Sequence, residues 1–89
     1  MNHGSLQITY RLGRPLAAYY QLGPSRPGEV QRSRELGHGL VADLDGDGRP
    51  VGVEITAPTL LTLEAFNAAL EGLGLDPVPA AELAPLHAA

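Results

Sequence analysis

Cysteine is absent from the 89 residues, which excludes disulfides and thiolate zinc sites outright. Lysine is absent as well, so every positive side chain is an arginine. Ala, Leu, Gly and Pro are abundant, and this usage reads as the mutational bias of a GC-rich bacterial genome, not as a functional choice of guanidinium. The aromatics are only Tyr10, Tyr19, Tyr20 and Phe66, so Leu, Val, Ile and Ala must build the core. No apolar run approaches the roughly 18 residues that span a bilayer. The opening Met1-Asn2-His3-Gly4-Ser5 lacks the basic-then-apolar order of a signal peptide. A cytoplasmic protein without membrane contact is the expectation.

What is present is enough for one domain, residues 1–89. Chains of this size bury only about 60–65% of the surface they expose when unfolded. Such folds often lean on a staple or on association. With the usual staples missing, a homo-oligomer, in the simplest case a dimer, is expected. The net charge of −4 is unevenly spread. Residues 1–36 carry five Arg against Glu29 and Glu35, whereas residues 37–89 carry Arg49 against eight acids. An acidic chain is a poor binder of phosphates, whose neutralisation dominates nucleic-acid affinity.

Leu6, Ile8 and Tyr10 alternate with Gln7, Thr9 and Arg11, the two-residue period of a half-buried strand. Gly13-Arg14-Pro15 interrupts it, and a second strand follows over 16–22. There Tyr19 and Tyr20 point to opposite faces, so only one of them can be core. The stretch 23–28 is dense in turn formers and reads as a loop. Residues 29–36 are polar on both faces between Val30 and Leu36, as an edge strand that resists sheet-to-sheet aggregation should be.

Residues 40–56 form the best-specified segment. Asp47-Gly48 as a two-residue type I′ turn sets Gly46 opposite Arg49 and Asp45 opposite Pro50. It also sets Leu44 opposite Val51, Ala42 opposite Val53 and Leu40 opposite Ile55, which puts the apolar pairs on one face. Ala57-Pro58 ends the sheet. Thr62 is placed to cap a helix with Leu63, Phe66, Leu70 and Leu73 at helical spacing, stopped by Gly72 or Gly74. The expected fold is therefore α+β: an antiparallel sheet of successive hairpins over residues 6–56, with one C-terminal helix (62–72) packed on it. Residues 76–89 are expected to form a tail with a short terminal helix.

Ile8-Thr9-Tyr10, Tyr19 or Tyr20, Asp43, Asp45, Gly48, Gly52, Glu54 and Ile55 together resemble domain-of-unknown-function family 2283. That family opens on "ITY", places a Tyr in the next strand and continues "D-x-D-x-x-G-x-x-x-G-I-E-I". The resemblance covers about residues 6–57. It departs at the first turn, which is usually acidic but here is Arg11-Leu-Gly-Arg-Pro15. The family brings no established activity. Its members are small prokaryotic proteins, some beside toxin-like genes, which implies a partner-binding role.

Two constellations are candidates for chemistry. Asp43, Asp45, Asp47 and, at the twelfth position, Glu54 fit the text of a calcium loop. Such a loop joins two helices, however, while β-branched alternation flanks this one. The hairpin register leaves Asp43 and Glu54 diagonal on the solvent face and Asp47 at the tip, a turn with solvated carboxylates. The same pair could serve as a catalytic acid and base, although nothing nearby supplies a cleft. Arg32 and Arg34 share one face of their strand, with Arg11, Arg14 and Arg26 in neighbouring segments, and could meet phosphates. His3, His38 and His87 are too scattered to ligate a metal together. Ser5, Ser25 and Ser33 lack a nucleophile-elbow context. No catalytic residue, metal or cofactor is assigned. The expected function is a non-catalytic, self-associating protein-interaction module of an accessory or antitoxin-like kind. The alternatives are a nucleic-acid-contacting regulator using Arg32 and Arg34, and calcium or small-ligand binding at the acidic hairpin.

Overall fold

The computed structural model describes residues 4–24 and 28–87; Ser25 and Arg26 of the predicted loop, and His3, lie outside them. Among the described residues, five strands are followed by a single 3-10 turn and two helices. The strands are β1 (Ser5–Arg11), β2 (Arg14–Gln21), β3 (Arg32–Gly37), β4 (Leu40–Leu44) and β5 (Pro50–Ile55). After the 3-10 turn Pro58–Leu60 come α1 (Leu63–Gly72) and α2 (Ala80–His87). The sheet is antiparallel throughout, in the order β1-β2-β5-β4-β3. β3 is an edge strand, as its two polar faces require. No helix among the described residues is long and apolar enough to cross a membrane.

The β4–β5 hairpin keeps the expected pairing away from its tip: Leu40 faces Ile55, Ala42 faces Val53, and Asp43 faces Gly52. Nearer the tip the expectation is corrected, because Leu44 faces Pro50 and not Val51. Asp45 N–H donates to the Arg49 carbonyl and Gly48 N–H to the Asp45 carbonyl. The loop is thus three residues, 46–48, with Gly48 left-handed at φ 80°, the turn-plus-bulge geometry of three-residue hairpins. A side chain decides the difference. Asp45 Oδ1 accepts from the amides of Asp47 (2.8 Å) and Arg49 (2.9 Å), an Asx turn that pulls the reversal one residue earlier. Val51 takes up the odd residue as a bulge, which restores the register beyond it. Two-residue loops with both positions at positive φ occur elsewhere, at Leu12-Gly13 and His38-Gly39.

Pro50 opens β5, and β2 pairs with β5 only from Gln21↔Gly52 to Ala18↔Ile55, so its missing N–H interrupts no rung. One face of the sheet presents Ala18, Tyr20, Leu40, Val53 and Ile55 to the helices. Tyr20 is the core tyrosine, and its ring meets Phe66 edge-on with centroids 5.3 Å apart.

α1 begins where Thr62 Oγ1 accepts the Ala65 amide at 3.1 Å, the N-cap that the sequence predicts. It ends in a left-handed Gly74, with Gly74 N–H on the Glu71 carbonyl and Leu75 N–H on the Leu70 carbonyl. The tail is more than a possible short helix. α2 is a second packed helix that buries Leu83 and Leu86 in the same core. Asn67 explains how it is held, since its amide bonds both the carbonyl (3.0 Å) and the N–H (2.8 Å) of Val78 in the connecting segment. Two leucines so deeply buried were hidden from sequence reasoning by Pro85 inside the helix and by the prolines before it.

Two stability experiments follow. Leu86→Ala should lower the urea-denaturation free energy by about 2–5 kcal/mol, since Leu86 is fully buried; a loss below about 0.5 kcal/mol would show α2 undocked. Gly48→Ala should cost roughly 1–2 kcal/mol for its left-handed backbone, whereas Gly46→Ala, with ordinary space and φ, should cost less.

Candidate functional site

The opposite face of the sheet is polar and uncovered by either helix. Register puts Tyr19 of β2 beside Glu54 of β5, and Asp43 of β4 beside Gly52 of β5 and Ser33 of β3. Glu54 pairs with Val41, so Asp43 and Glu54 are diagonal neighbours, as the hairpin pattern implies. What the pattern misses is Tyr19. Its ring lies across Gly52, where a Cβ would collide with the hydroxyl end of the ring. Only glycine leaves that space. The phenol thereby crosses β5 toward Asp43, which helps to raise its pKa.

Asp43 is consequently no solvated carboxylate. It is 7% exposed and accepts the Ser33 hydroxyl at 3.2 Å. Burial of a carboxylate is tolerated only with such partners. Its neighbours register the confinement. Burial pushes the Tyr19 phenol up to about 12, helped by the hydrogen bond to Asp43 and by the charges of Asp43, Glu54 and Glu29. Hydrogen bonding to Asp43 raises the Glu54 carboxyl above its ordinary value, reinforced by burial and by the Asp43 charge. Beside them a shallow cavity of about 350 Å³ opens between Gln7, Thr9, Ala17, Tyr19, Glu54 and Thr56.

The other predicted candidates are placed apart. Asp45 spends its carboxylate on the turn; the Arg49 amide, foremost, and then the Asp47 amide hold it below the usual range. Asp47 sits at the exposed tip. Among the described residues no three His, Asp or Glu side chains converge as metal ligands. Arg32 and Arg34 are exposed on the helix side of β3, opposite Leu44 and Ala42. Arg11 and Arg14 lie at the far edge, on the β1–β2 hairpin, so these four arginines form no single surface. His38 occupies a β3–β4 turn, and the His87 ring nitrogen contacts the Leu61 carbonyl at 2.7 Å. Ser5 begins β1, and Ser33 serves Asp43.

The shifts at Glu54 and Asp45 have a stability signature. With its folded value raised, Glu54 contributes stability that is full below the ordinary carboxylate range and lost as pH rises through the raised value. Asp45, with its value lowered, contributes stability above the ordinary range that is lost as pH falls through the lowered value. Glu54→Gln should therefore flatten the decline of stability from acid to neutral pH, measured by urea unfolding across that range; an unchanged slope would separate Glu54 from Asp43. Ultraviolet titration of the tyrosines should show a phase near 12 that disappears in Tyr19→Phe and moves down in Asp43→Asn.

No curated protein and no solved structure matches the chain. A family model does match, over residues 17–57, described as "Protein of unknown function (DUF2283)". The match runs from within β2 to just past β5 and leaves β1 and both helices outside. The segment that holds Tyr19, Asp43, Gly52 and Glu54 is thus the part of the chain that resembles the DUF2283 family.

Proposed function

We infer that the chain is a non-catalytic interaction module that associates with copies of itself. The observation that carries this reading is Leu12. It stands at the tip of the β1–β2 hairpin, 93% exposed, with φ at 54°. A left-handed backbone costs a non-glycine residue roughly 1–2 kcal/mol, and a bare leucine gains nothing from solvent. In an isolated domain both features are unfavourable. Strain of this kind is a reason to look for a contact that uses the side chain. The neighbours support the reading, because Tyr10 and Leu16 on the same hairpin are also more than half exposed. The polar site on the outer face lacks the nucleophile, metal ligands or deep cleft that would favour an enzyme.

Sedimentation equilibrium from micromolar to millimolar concentration tests the proposal. A species of twice the 9.3 kDa chain mass is expected; a chain that stays at the monomer mass throughout would sink it. Leu12→Asn, a residue better suited to the left-handed region, should raise the melting temperature of the monomer while weakening association.

A further inference from the structure

We propose that the β1 edge is where the second copy docks, by antiparallel pairing of β1 with its counterpart about Ile8. This rests on the self-association inferred above and adds its geometry. The two sheet edges are not alike. β3 carries the exposed charges Arg32, Arg34 and Glu35 and is disturbed by a register shift near Leu36, the devices that keep an edge from pairing. β1 has fewer of them, with its one charge, Arg11, at the turn end. From Ser5 to Tyr10 it is uncharged and free of proline, and its register shift falls only at Thr9/Tyr10.

The hairpin turn sets which main-chain groups are free. Arg11 and Arg14 flank the two-residue Leu12-Gly13 loop and so bond to each other. Alternation along β1 then turns the N–H and C=O of Tyr10, Ile8 and Leu6 away from β2. Those residues form a self-complementary row. Ile8 meets Ile8 of the second copy, and Leu6 meets its exposed Tyr10, all on the helix side of the sheet. Two five-stranded sheets become one of ten strands.

The same register brings residue 12 of one copy opposite residue 4 of the other. Gly4 lies at the mouth of a cleft of about 580 Å³, lined further by Tyr20, Leu22, Leu75, Val78 and Glu82. Leu12 is carried to an apolar opening, and Arg11 and Arg14 come beside Glu82 and Asp76 on its rim. The basic amino-terminal half of one chain thus faces the acidic carboxy-terminal half of the other.

The absence of cysteine makes the register testable. Gln7→Cys with Thr9→Cys puts thiols in directly opposed, non-hydrogen-bonded positions, where disulfides are geometrically allowed. Under mild oxidation this double variant should run as a covalent dimer, and Ser33→Cys with Glu35→Cys on β3 should not. Tyr10→Pro removes an outward N–H without touching the β1–β2 ladder and should raise the dimer Kd by about tenfold or more. A dimer that forms but cross-links only through β3, or cross-links at neither edge, overturns the β1 interface and leaves self-association standing. A monomer at every concentration overturns both. If Tyr10→Pro does not fold, the cross-linking pair still decides.

Discussion

The alignment of β4 with β5 is the constraint on which the remaining structure depends. With Leu40 against Ile55 and Ala42 against Val53, one side of the central hairpin is wholly apolar and must be covered. Phe66, Leu70, Leu83 and Leu86 cover it. The same alignment sends Asp43 and Glu54 to the other side, where a one-residue slip would have buried them beneath the helices. A carboxylate of the turn holds this alignment by binding two backbone amides. The apolar layer and the acidic cluster are therefore two readings of one registration.

The central position of β5 follows from its composition. It pairs on both sides and is flanked by β2 and β4. Its apolar inner face, with Val53 and Ile55, suits that place, Gly52 on the outer face leaves room for the Tyr19 ring, and its proline lies at the one end where β2 does not extend. Charged β3 goes to an edge. β1 goes to the other, with fewer defences, and it falls outside the segment shared with DUF2283. The proposed contact surface thus lies outside the segment that matches the family.

Much of the fold was legible from residues alone. Period-two alternation found the strands, Thr62 marked the start of α1, and the pairing of residues 40–43 with 52–55 came from apolar matching. The turn itself was misjudged by one residue, because Asp-Gly signals a reversal without specifying which acid will bind the backbone. α2 was underestimated, since two buried leucines in eight residues give no periodicity to read. The outer face was legible only in part. That Asp43 and Glu54 lie near each other follows from register; that Asp43 is buried does not, because its cover comes from a tyrosine on a third strand. The signal was a glycine in mid-strand, which weakens a sheet unless something approaches closely.

That glycine has a consequence for how the chain can vary. Gly52 and the ring of Tyr19 occupy one volume, so neither position is free to drift by itself. A larger residue at 52 is admissible only if the ring at 19 swings away or gives way to a smaller side chain, and either change uncovers Asp43. Across related chains the two positions should therefore covary, and the acid opposite should be lost or exposed wherever the aromatic is gone.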